Sequence, residues 1–81
     1  MGQKVRVYLY GSLGLSRPGY DPVVGLEVEV PRGARVKDLL GSLGISTSQG
    51  PIVTQHHRIL NREDEMDPDE PVRIMQMAAG G

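Results

Sequence analysis

Eighty-one residues with a formal net charge of −1 and no cysteine leave room for one domain with a modest core, since a chain of this size buries only about 60% of its unfolded surface. The lack of cysteine excludes disulfides, thiolate zinc sites and iron–sulfur clusters. Three tyrosines are the only aromatic residues and the basic residues are scattered, which argues against a generic nucleic-acid binder.

The start, Met1-Gly2-Gln3-Lys4-Val5-Arg6, lacks the apolar core of a signal peptide, and no run approaches the length of a membrane span. A soluble cytoplasmic protein is expected. Charge is unevenly placed: residues 1–62 hold eight Lys/Arg against four Asp/Glu, whereas residues 63–81 hold one Arg against six acids.

In chain order, residues 4–10 alternate cleanly. Val5, Val7 and Leu9 fall on one face, with Arg6, Tyr8 and Tyr10 on the other, the pattern of a half-buried strand. Gly11 to Gly25 reads as a long loop on its glycines and prolines. Within it, Gly11-Ser12-Leu13-Gly14 resembles a phosphate cradle only superficially, because no Gly-Lys-Ser/Thr follows.

Leu26 to Val30 alternate again, with Glu27 and Glu29 outward. Val36, Leu39, Leu40 and Leu43 then recur at helical spacing, predicting a helix of about ten residues with one apolar face. Gly44 suits the position after its end. Its start offers no good capping residue, so the first turn is expected to fray. Gly41 weakens its middle, for which close approach to the sheet is one reason.

After a Ser46–Gly50 loop, residues 52–55 and 57–60 read as two short strands. Residues 61–71 are polar and turn-rich. The order is β-β-α-β-β-β, an α+β arrangement with one helix to cover one sheet face.

The last ten residues are the most informative. Val72 to Met77 read as a strand; Ala78, Ala79, Gly80 and Gly81 carry almost no side chain. Such an end gains no packing and is expected to project as a flexible finger. If the final strand pairs beside the first, the tail is anchored at the centre of the sheet.

This order, closed by Gly80-Gly81, resembles the β-grasp, ubiquitin-like sulfur carriers: the small subunit of molybdopterin synthase, the thiamine sulfur carrier and their tRNA-thiolating relatives. The resemblance rests on Val5–Leu9, Leu26–Val30, Val36–Leu43, Val72–Met77 and the terminal glycines. It implies a mixed four- to five-stranded sheet with one main helix, spanning residues 1–77, and a tail at 78–81.

It also implies a chemistry. An ATP-dependent, ubiquitin-activating-type enzyme adenylates the Gly81 carboxylate, and a sulfur donor converts it to a thiocarboxylate. The sulfur then passes to a pterin, thiazole or tRNA precursor. The chain itself would bind no cofactor and be no enzyme, though the family allows it to form half of a synthase with a catalytic large subunit.

The residues suit this chemistry. A terminal carboxyl has a pKa of about 3.5, so at neutral pH Gly81 is an anionic nucleophile. No other nucleophile constellation is present, with cysteine absent and neither histidine at a catalytic spacing. Tyr10-Gly11-Ser12-Leu13-Gly14 replaces the helical turn common in molybdopterin subunits, while the long first loop separates this chain from the thiamine carriers. The molybdopterin-like side is favoured. Two other readings remain at this stage: a modifier conjugated through Gly81, and a small binding module with a frayed end. A β-grasp ferredoxin is excluded for want of cysteine ligands.

Three further features carry expectations. His56 and His57, taken as strand neighbours, point to opposite faces and cannot share a metal. The acidic run Glu63–Glu70 lacks the glycine and ligand spacing of a calcium loop; it reads as a solvated turn or as an acidic skirt beside the tail. Met66, Met75 and Met77 read first as core filling. With one helix available, the far sheet face should stay uncovered, and Tyr8, Tyr10 and Met75 are the candidate partner-binding residues there.

Overall fold

The computed structural model describes residues 2–15 and 17–76. Five strands, β1 (Gly2–Leu9), β2 (Leu26–Pro31), β3 (Pro51–Gln55), β4 (Arg58–Leu60) and β5 (Val72–Gln76), form one sheet in the order β2-β1-β5-β3-β4. β1 and β5 run parallel, pairing Val7 with Val72 and Leu9 with Ile74, and the other neighbouring pairs are antiparallel. The fold is α+β with a mixed sheet, and the final strand lies beside the first at its centre, as the sequence suggested.

Strand alternation builds the core. Val5, Val7, Leu9, Val53, Val72 and Ile74 are buried on one face, where they meet helix α2 (Val36–Leu43). That helix buries Val36, Leu39, Leu40 and Leu43, the predicted stripe. Met66 is buried in the same cluster, filling core as expected.

Both ends of α2 are well closed. Gly44 adopts φ 73°, its N–H donates to the Gly41 carbonyl, and the Ile45 N–H reaches back to Leu40. This is the paired bonding of a Schellman motif, which a left-handed residue permits.

The start is not frayed, contrary to expectation. The Asp38 carboxylate accepts the Arg35 N–H at 2.9 Å. The Val36 and Lys37 N–H groups donate to the carbonyls of Asp64 and Arg62, each at 3.0 Å. A distant loop thus satisfies the first-turn donors that the local sequence leaves open. Nor does Gly41 approach the sheet, since a Cβ built there has no neighbour within 4 Å.

The expectation of a single helix is also corrected. Within residues 11–25 lies a second, four-residue helix, α1 (Ser12–Leu15), and a 3-10 turn follows α2 at Thr47–Gln49. Gly11, at φ 63°, turns the chain, and its carbonyl accepts the N–H groups of Gly14 and Leu15. One buried residue, Leu13, anchors α1 in the core that α2 covers. A helix of one turn offers too few residues to show a helical period.

His56 and His57 do not lie on a strand. They are the central pair of the β3–β4 hairpin turn, with φ 55° and 62°. Two positive φ angles in succession define a type I′ turn, usually built from Asn and Gly.

Candidate functional site

The face of the sheet opposite α2 is where exposed chemistry concentrates. Register fixes its membership. Arg6 pairs with Glu27 and Lys4 with Glu29 across β1 and β2, while Tyr8 pairs with Arg73 across β1 and β5. Arg73 in turn lies opposite Thr54, Thr54 opposite Ile59, and Met75 opposite Ile52. Paired residues share a face, so Tyr8, Arg73, Thr54 and Ile59 form one row, with Met75 and Ile52 in the next.

Within this face the structure brings Tyr8 and Tyr10 together through Arg73. The Arg73 Nε donates to the Tyr10 hydroxyl at 3.2 Å, and its guanidinium carbon lies 6.0 Å from the centre of the Tyr8 ring. Tyr8 and Met75 are half-buried and Tyr10 is exposed. Ile59 is 71% exposed and adds an aliphatic side chain to this face. The Tyr8 ring is seated against Gly25, where a Cβ would stand 2.9 Å from it and 2.8 Å from the Val7 carbonyl.

Beside Tyr10, the ends of β1 and β5 converge. The Tyr10 N–H donates to the Ile74 carbonyl, and the Ser12 hydroxyl donates to Gln76 Oε1 at 2.8 Å. An apolar cleft of about 400 Å³ opens there, lined by residues that include Tyr10, Leu15, Tyr20 and Pro22. Gln76 is the last described residue. The candidate residues Ala78, Ala79, Gly80 and Gly81, together with Met77, lie outside the described residues.

The acidic segment is at the other end of β5. It precedes Val72, so about 16 Å of strand separates it from Gln76 at ~3.3 Å per residue. The acidic segment and Gln76 thus lie at opposite ends of β5, while the tail named in the acidic-skirt reading lies outside the described residues.

Its carboxylates instead fasten the loop to the domain. Lys37 Nζ donates to Glu63 at 2.9 Å, and this hydrogen bond and charge hold the Glu63 carboxyl below its ordinary range. Asp64 accepts the Asn61 N–H at 2.7 Å. Asp67 accepts the Asp69 N–H at 2.9 Å and stands 3.0 Å from His56 Nε2. The first of these contacts, then the second, lowers the Asp67 pKa. Buried Gln55 ties down the same loop, donating to the carbonyls of Asp67 and Glu70 and accepting the Asp67 N–H.

Among the described residues, no group of three or more His, Cys, Asp or Glu is placed to hold a metal ion. None of their helices is long and apolar enough to cross a membrane. Two open-face residues, Arg73 and Ile59, were not singled out from the sequence. The alternation of β5 pointed Arg73 outward, but its junction with two tyrosines depends on strand pairing. No family model matches the chain, and no curated protein matches it.

Proposed function

We propose that this chain is a sulfur carrier with a β-grasp, ubiquitin-like fold, working through a thiocarboxylate at Gly81, with a molybdopterin-type pterin precursor as acceptor. The observation that carries this reading is the place of β5. Parallel to β1 and flanked on both sides, it is the middle strand of the five, and the C-terminal segment follows directly from it in the sequence. A segment so anchored can enter a partner's active site without disturbing the domain.

In this reading a ubiquitin-activating-type enzyme binds the carrier and ATP. The Gly81 carboxylate attacks the α-phosphorus and pyrophosphate leaves. The acyl adenylate makes the carbonyl electrophilic, and a sulfur donor displaces AMP to leave a thiocarboxylate. A catalytic large subunit then positions the acceptor, and the carrier supplies no further catalytic group. Glycine at position 81 suits the attack, since a Cβ would crowd the reacting carbon.

The test is intact-mass spectrometry after incubation with ATP, an activating enzyme and a sulfur donor. Replacement of one oxygen by sulfur is expected. Deleting Gly81 abolishes that gain and leaves the thermal transition in place, because the buried apolar residues among those described run from Val5 to Ile74. Gly81→Ala impairs it far more than Ala78→Ser. Sulfur gain by the truncated chain, or Gly81 found only in an isopeptide bond to lysine, overturns the reading.

A further inference from the structure

We propose that the open face of the sheet is a receptor for a carboxylate on a partner protein, with Arg73 as its centre and a rim of aliphatic side chains around it. The inference rests on the carrier reading only in taking this face as the side that partners meet. It adds the chemistry of what is met there.

Arg73 stands on the central strand of the sheet and is exposed. Its Nε is committed to the Tyr10 hydroxyl and its plane lies near the Tyr8 ring, so two tyrosines hold the side chain in position. The described residues form four ion pairs, and Arg73 takes part in none of them. With Nε occupied, the two terminal amino groups remain as parallel donors, the fork that suits a carboxylate.

The other cations of this face are already engaged. Arg6 and Lys4 share Glu27, at 3.7 and 3.6 Å, and Arg6 also donates to the Val24 carbonyl.

The surroundings select the kind of anion. Ile52 and Met75 lie in the row next to that of Arg73, and Ile59 lies in Arg73's own row beyond Thr54; aliphatic neighbours remove water from a carboxylate–guanidinium pair. Lys4 and Arg6 balance Glu27 and Glu29 on the same face, so among the described residues Arg73 is a single free cation there and not part of the basic track that a nucleic-acid backbone needs. The occupant is therefore a protein segment bearing one Asp or Glu between apolar residues.

NMR titration tests this with isotope-labelled full chain and two capped peptides, Leu-Val-Glu-Val-Leu and its Glu→Gln counterpart. The Glu peptide should shift Tyr8, Thr54, Ile59, Met75 and the Arg73 Nε–H, and bind about tenfold tighter than the Gln peptide, the size of one charge-assisted hydrogen-bonded contact. In Arg73→Gln that preference should vanish while the rest of the spectrum is retained. Equal binding of the two peptides, absence of binding, or an oligothymidylate shifting these residues while the peptides do not would each overturn the proposal. Sulfur loading of Gly81 is read separately. A chain that loads sulfur but shows no carboxylate preference defeats this inference alone, and one that prefers the Glu peptide but never gains sulfur defeats only the carrier reading.

Discussion

The Tyr20 hydroxyl closes both backbone groups of Leu9, accepting its N–H at 2.8 Å and donating to its carbonyl at 3.1 Å. One side chain from the long first connection thus replaces a missing strand neighbour at the end of β1. Gly14 makes room for it, since a Cβ there would lie 3.1 Å from the Tyr20 ring. Tyr20→Phe removes both bonds and is expected to cost about 1–3 kcal/mol. Urea titration should show a lower midpoint with an unchanged slope. An unchanged midpoint would mean that water satisfies Leu9 equally well.

Gly41 offers the opposite test. It sits mid-helix with open space where a Cβ would be, so Gly41→Ala should stabilise the domain by about 0.5–1 kcal/mol through helix propensity and reduced unfolded-state entropy. Thermal unfolding followed by circular dichroism measures it. A lower Tm would show that the added methyl is not accommodated in that open space.

Gln55 spans the loop between β4 and β5 with three hydrogen bonds from a buried position. Gln55→Leu keeps the bulk but strands the Asp67 N–H and two carbonyls, for an expected loss on the order of 3 kcal/mol. Hydrogen exchange should accelerate first in residues 61–71. Uniform acceleration across the sheet would place the loop in the global folding unit instead.

The acid limb of stability follows from Asp67 and Glu63, both held below their ordinary pKa in the folded chain. A depressed carboxylate pKa contributes stability above the unfolded value, which is lost as pH falls through the folded one. Stability should therefore decline below about pH 4, near the ordinary carboxylate values. Asp67→Asn should be less stable than the parent at pH 7 and show a shallower decline between pH 5 and pH 3. Parallel curves for the two proteins would show that the Asp69 and His56 contacts do not persist in solution.

Local pattern was enough for the strands and for α2. Alternation in Val5–Leu9 and Leu26–Val30, and the spacing of Val36, Leu39, Leu40 and Leu43, each repeat often enough to identify an element and its buried face. The α+β class followed from their order. Where the signal was shorter than one period, it failed: α1 is a single turn, and the His56-His57 turn lacks the glycine that usually marks a type I′ hairpin.

What the tertiary structure alone decided depends on contacts between residues far apart in the chain. At the α2 start the Asp38 carboxylate that accepts the Arg35 N–H is local, but the Val36 and Lys37 N–H groups go to carbonyls of residues 64 and 62, more than twenty positions downstream, which no inspection of the helix's own flanks would find. The strand order places the acidic loop at the opposite end of β5 from Gln76. Arg73 meets Tyr8 and Tyr10 only because β1 and β5 pair in parallel. Periodicity tells which way a side chain points; strand register decides what it meets there.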